Sequence, residues 1–251
     1  MKALYIALQD PQSHSWAPVA RVWRSDGVFR LRYTQGAGRV SGFVGFARMD
    51  RLDGEFVSPE LFPLLKNRVL ARGRPEFGLL AQWVGREKDE IDAFDEIALT
   101  GGLRGTDSIE LIPEPEPSAD GRYEAEFFVH GVRYLSEASQ VDFSALREGD
   151  SLCLASDLQN KFDAHALLLR TSDPVSVVGY VPRYYSEDFS SLVGELRDQV
   201  NISVVRANLD APLAFRVLCK LDAPWPQGFE SCKGTAYLPY VDSPVSVQVL
   251  S

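Results

Sequence analysis

"NKFDAHALLLR" (residues 160–170) places Asn160, Phe162 and Asp163 just before an apolar run, and "VGYVPR" (178–183) closes a second run on Tyr180 and Arg183. Upstream, "HGVRYL" (130–135) adds Arg133 and Tyr134. Each residue type has a use in holding a nucleotide. A flat ring stacks a base, worth ~1–3 kcal/mol per base. A guanidinium grips a phosphate through two parallel hydrogen bonds. A carboxylate accepts from a terminal hydroxyl and repels a phosphate in the same place, which selects a strand end over its interior. The same residues have structural uses. Asn160 and Asp163 suit a turn, Phe162 could plug the end of a barrel, and Tyr134 and Tyr180 could pack with their hydroxyls at a rim. Arg183 could be a solvated charge.

The elements that would carry these residues come densely after residue 122. "RYEAEFFVHGVRYL" reads as a strand ending near Tyr134, "REGDSLCLAS" as a turn and a short strand, and "AHALLLR" and "VSVVGYVP" as central strands. "SEDFSSLVGELRDQV" reads as a helix capped by Ser186, with Phe189, Leu192, Val193, Leu196 and Val200 as its buried stripe. "ISVVRA" and "LAFRVLCKL" complete five or six strands, which suits a small, partly open barrel.

The first half has a different pattern. "KALYIAL", "APVARVWR" and "GVFRLRYTQG" read as strands, the last two joined by a hairpin at "SDG" (25–27). "SPELFPLLKNRVLARG" is expected to be a helix with Ser58 as cap and Pro59 at its first position, stopped at Gly73, with Leu61, Leu64, Leu65 and Val69 on one face. "PEFGLLAQWVG" and "DEIDAFDEIALTGG" follow as helices with Phe77, Leu80 and Val84, then Ile91, Phe94 and Ala98, inside. The fold class is therefore α+β. A small antiparallel sheet with two or three helices (1–112) is expected to precede a Pro/Glu linker (113–122), a barrel (123–221) and an extended proline- and aromatic-rich tail (222–251) that serves as a strap or partner-binding arm.

Composition limits the function. The net charge is -9, which argues against sequence-blind coating of nucleic acid, because that affinity grows with the number of phosphates neutralised. Residues 1–50 carry seven Lys/Arg against three Asp/Glu, and residues 122–221 carry ten against fourteen. Any nucleic-acid contact in the second half must be a small shaped site. Cys153, Cys219 and Cys232 are odd in number and far apart, which fits a reducing cytoplasm. His14, His130 and His165 show no ligand spacing with them, so no metal and no cofactor is expected. No apolar run reaches membrane length. A thiol triad built on Cys153 or Cys219 and a two-metal site in "EKDEIDAFDE" (87–96) give way to packing and a solvated helix face. No catalytic residue is assigned.

Residues 126–220 resemble the HIRAN domain, an accessory module of SWI/SNF-type helicase-like DNA-repair proteins and a stand-alone bacterial domain. The resemblance rests on "HGVRYL", the "GD" and "L" positions of "REGDSLCL", "QNKFDAHALLL" (159–169) and "VGYVPR", in that order. It implies an OB-like barrel and, from eukaryotic members, recognition of the free 3′ end of single-stranded DNA, with Arg133, Tyr134, Phe162, Asp163 and Tyr180 as contacts. The DNA-binding members have Tyr where this chain has Phe162, and His where it has Tyr180. Stacking survives both changes, while the hydrogen bonds differ. "PVARVWRSDGVFRLRY" (18–33) and "GEFVSPELFPLLKNRVL" (54–70) resemble the N-terminal lobe of HipA-type proteins, which implies a docking lobe for a protein partner. Two functions follow: a non-enzymatic DNA-end reader in repair or defence, or a protein-interaction adaptor.

Overall fold

A computed structural model describes residues 3–102, 108–136, 142–160, 163 and 165–250. In chain order the strands and helices begin with β1 (Ala3–Gln9), β2 (Trp16–Ser25), β3 (Val28–Tyr33), β4 (Gly54–Ser58), α1 (Pro63–Lys66), α2 (Pro75–Val84), α3 (Ala93–Thr100) and β5 (Ile109–Pro113). They continue with β6 (Arg122–Phe128), β7 (Cys153–Ser156), β8 (Leu167–Arg170), β9 (Val177–Tyr180), α4 (Arg183–Leu196), β10 (Asn201–Ala207), β11 (Val217–Pro224) and β12 (Ser246–Val249).

Two compact units result, and both are discontinuous in sequence. The first comprises residues 1–71, 91–114 and 230–251, and the second residues 72–90 and 115–229. In the first, one six-stranded sheet runs β12-β4-β3-β2-β1-β5. The Asp26-Gly27 loop joins β2 to β3 with both residues at positive φ (53° and 79°), the backbone a two-residue hairpin with right-handed strand twist requires. Leu4, Ile6, Val22, Leu31 and Phe56 form the buried core with Phe62, Leu65, Phe94 and Ile97.

The long helix expected from Ser58 to Gly73 does not form. Ser58 ends β4, and only one turn, Pro63–Lys66, is helical. Pro63 lacks the N–H that a continuous helix needs, and its ring clashes with the preceding turn. The tail, expected as an extended strap, returns to the sheet, where β12 pairs in parallel with β4. The linear division at residues 112 and 221 therefore does not match the units that form. Residues 72–90, with α2, also belong to the second unit: Trp83 stacks on Phe215 at 5.2 Å, and Arg86 pairs with Glu126.

In the second unit the expected barrel is not closed. Among the described residues two open three-stranded sheets, β10-β11-β6 and β7-β8-β9, are joined in ladder terms only by isolated bridges at His130–Tyr180 and Ser151–Ser203. Short strands with turns at 131–134 and 147–150 leave too few paired residues to close a continuous ladder. One core serves both sheets, with Phe127 and Phe189 5.5 Å apart and Tyr185 stacked on Phe189 at 5.2 Å. Helix α4 starts at Arg183 with Pro182 as its N-cap, so Ser186 lies inside the helix and is not the cap.

Candidate nucleic-acid interface

The strand expected to reach Tyr134 stops at Phe128, and Arg133 and Tyr134 sit on a single 3-10 turn. Gly131 causes the change. It adopts φ +72°, and a Cβ there would stand 2.6 Å from Tyr180 Cδ2, so both its conformation and its close approach to the ring call for glycine. The His130 N–H donates to the Tyr180 carbonyl and the Tyr180 N–H to the His130 carbonyl, each at 2.9 Å, which pins the turn to β9. Val132 is buried and anchors the turn from below.

Arg133 and Tyr134 face outward. The guanidinium lies 4.7 Å over the Tyr134 ring and donates to the Tyr134 hydroxyl. Tyr134 is 73% exposed. Among the described residues Arg133 has no carboxylate partner. In the same unit Arg122 is matched to Asp222 (2.6 Å) and Lys220 to Glu124 (2.6 Å).

Tyr180 is half-buried behind this turn, and its hydroxyl donates to Asp157 Oδ2 at 2.9 Å. Burial, then the bond to Asp157 and its negative charge, raise the Tyr180 pKa above the usual phenol value. Asp157 opens the β7–β8 loop, where its Oδ1 accepts from the Gln159 N–H (3.1 Å) and its own N–H donates to the Ala166 carbonyl (2.9 Å). The Asp163 N–H donates to Asn160 Oδ1 (3.0 Å). Asp163 Oδ1 accepts from the His165 N–H (2.9 Å) and Oδ2 from Ser186 Oγ (3.3 Å). Asn160 and Asp163 thus build the loop first, as side chains that bond nearby backbone do.

Arg133, Tyr134 and Tyr180 are brought together, and Asp157 ties Tyr180 to the loop carrying Asp163. The bonding partners of Asp163 are Asn160, His165, Ala166 and Ser186, not the other three candidates. Phe162 lies outside the described residues. Reasoning from sequence missed Gly131, Asp157 and Ser186. The first has the signal of an isolated glycine after a strand, and the second of an Asp two residues before an amide it can accept from. Ser186 has no local signal, since its partner lies 23 positions away. Two accepted hydrogen bonds leave Asp163 with lone pairs to spare. Together the residues offer an exposed ring, a cation with no carboxylate partner among the described residues, and an acceptor.

Among the described residues no group of three or more His, Cys, Asp or Glu is placed to hold a metal ion. Burial pushes the Cys219 thiol well above its ordinary pKa, the state of a packing thiol. No helix among the described residues is long and apolar enough to cross a membrane.

No curated protein matches the chain. Among solved structures, the HIRAN domain of human HLTF is 16% identical over 42% of this chain and 81% of that one, with a TM-score of 0.31. A protein from Lactobacillus plantarum is 20% identical over 41% of this chain and 97% of that one, with a TM-score of 0.30. Residues 123–222 of this chain match the HIRAN domain, a family of DNA-binding domains.

Proposed function

We propose that the second unit binds a free end of single-stranded DNA, the 3′ end in particular, as a non-enzymatic module that serves repair or defence. The observation that carries this reading is Arg133, a cation in an acidic domain that has no carboxylate partner among the described residues and rests on an exposed tyrosine ring. It takes a phosphate while Tyr134, and Phe162 by its residue type, stack bases. Asp163 accepts from the terminal hydroxyl with its remaining lone pairs. Tyr180 supports the turn and, with its proton committed to Asp157, offers the ligand only an acceptor. The cytoplasm is the compartment proposed.

Fluorescence anisotropy of labelled oligonucleotides ending in a 3′-hydroxyl or a 3′-phosphate, at two salt concentrations, tests this. Modest affinity with a shallow salt slope is expected, reflecting one or two phosphate contacts. Phe162→Ala should weaken binding by ~1–3 kcal/mol. Asp163→Ala should erase the preference for the hydroxyl end and leave weak strand binding. No binding of any end at low salt overturns the DNA reading. The second reading, a protein-interaction adaptor working through a HipA-like first unit, would then stand, and the open edge of that unit's sheet favours it.

A further inference from the structure

In the order β12-β4-β3-β2-β1-β5, β12 is bonded among the described residues to β4 on one side only. In register with the β12–β4 ladder, the Leu250 N–H donates to the Val57 carbonyl at 2.8 Å. The pleat turns the backbones of Ser246 and Gln248 toward β4 in the same way, so the N–H and C=O groups of Val247 and Val249 lie along the open edge. Sheet edges are ordinarily blunted by charge, proline or a bulge. Between Pro244 and Ser251 there is no charged residue. Val245, Val247 and Val249 are 67%, 60% and 74% exposed.

The stretch "VSVQV" (245–249) has the same class pattern in both directions. Turned end for end about Val247, it sets Val245 opposite Val249 and Ser246 opposite Gln248. We propose that β12 pairs antiparallel with β12 of a second copy of this chain, about a two-fold axis through Val247. Val247 of one copy and Val247 of the other then exchange both backbone hydrogen bonds. Ser246 and Gln248 then face each other at the flanking non-hydrogen-bonded positions, where side chains approach most closely. A second copy satisfies the alternation at every position by symmetry alone, since a two-fold interface uses the same patch on both subunits. A charged foreign strand would leave its charges against valine. One added strand falls well short of the roughly 1,200 Å² of a standard interface, so the association is weak and depends on concentration.

Sedimentation velocity of the full-length chain, from low to high micromolar concentration, should show a sedimentation coefficient that rises toward that of a dimer. Val247→Lys places two cations across the axis and should abolish the rise while leaving the melting temperature at low concentration unchanged. Val247→Cys should form a 247–247 disulfide under mild oxidation, identified by peptide mass spectrometry. Gln248→Cys should not cross-link to itself, because its mate is Ser246. A coefficient independent of concentration overturns the proposal. So does a dimer that survives Val247→Lys, or equal self-cross-linking of Val247→Cys and Gln248→Cys. These readouts need no DNA and stand apart from the function proposed for the second unit.

Discussion

Charged side chains around β1–β4 in the first unit and around the Gly131 turn in the second have different partners. In the first, Arg21 and Arg30 lie 2.6 Å from Glu114 and Glu55, one carboxylate to each guanidinium. Asp10 accepts from the Gln12, Ser13 and Ser41 N–H groups and from Ser13 Oγ, and these bonds, led by the Ser13 and Ser41 amides, hold its carboxyl far below the usual range. In the second, Arg133 rests on an exposed ring and Asp163 accepts two hydrogen bonds. The contrast is one of particular side chains: Arg21, Arg30 and Asp10 are matched or tied down, whereas Arg133 faces solvent and Asp163 keeps acceptor capacity beside matched pairs such as Arg122–Asp222. Residues 1–50 carry the more basic balance of charge. Their paired arginines show that a count of charges says little until their partners are known.

That contrast can be tested at several scales. The largest effect is expected from Phe189→Ala, which empties the centre of the second unit's aromatic core and should cost ~3–5 kcal/mol. Scanning calorimetry should show one transition falling and the other, from the first unit, unmoved. A single transition that shifts as a whole would mean the two cores unfold together.

Arg133→Ala and Arg21→Ala should behave in opposite ways. The first should cost ~1.5–3 kcal/mol of DNA affinity through lost charge-assisted bonds and reduce the salt slope by about 1, with the melting temperature unchanged. The second should lower the melting temperature slightly and leave DNA binding intact, as titrations at two salt concentrations will show. Equal loss of affinity in both variants would remove the distinction drawn between paired and unpaired arginines.

Gly131→Ala adds a methyl 2.6 Å from the Tyr180 ring at a positive φ. A cost of ~1–2 kcal/mol is expected from the left-handed backbone alone. Stability and end binding should fall together, since the turn and the ring support one another. A variant with normal affinity in anisotropy titrations would show that Arg133 and Tyr134 do not depend on this support.

The smallest effect at neutral pH concerns Tyr33, buried in the first unit with its hydroxyl donating to the Met49 carbonyl. Burial pushes its pKa from 10.0 up to about 12. The folded state then holds the proton more tightly than the unfolded chain, so this contribution is complete below pH 10 and is lost as pH rises toward 12. Between pH 9 and 12 the gap in melting temperature between the wild type and Tyr33→Phe should stay constant below pH ~10 and narrow only above it.

Local sequence determined much of this protein. Asp26-Gly27 specifies its hairpin because two adjacent residues must take positive φ. Helix α3 is legible from Asp92 and Asp95, which form a reciprocal cap within one turn, and α2 from Phe77, Leu80 and Val84 on one face. The short strands around the candidate site, and the order of motifs that resembles the HIRAN domain, were legible for the same reason: their signals lie within a few residues of each other. Tertiary structure alone decided the rest. Ser58 joined a strand because β4 had β3 beside it. Ser186 met Asp163, Gly131 met Tyr180, and β12 came back to β4 across almost 200 positions of chain. Each of these pairs depends on which surfaces meet after collapse, and neither composition nor periodicity in a short window encodes a partner that distant.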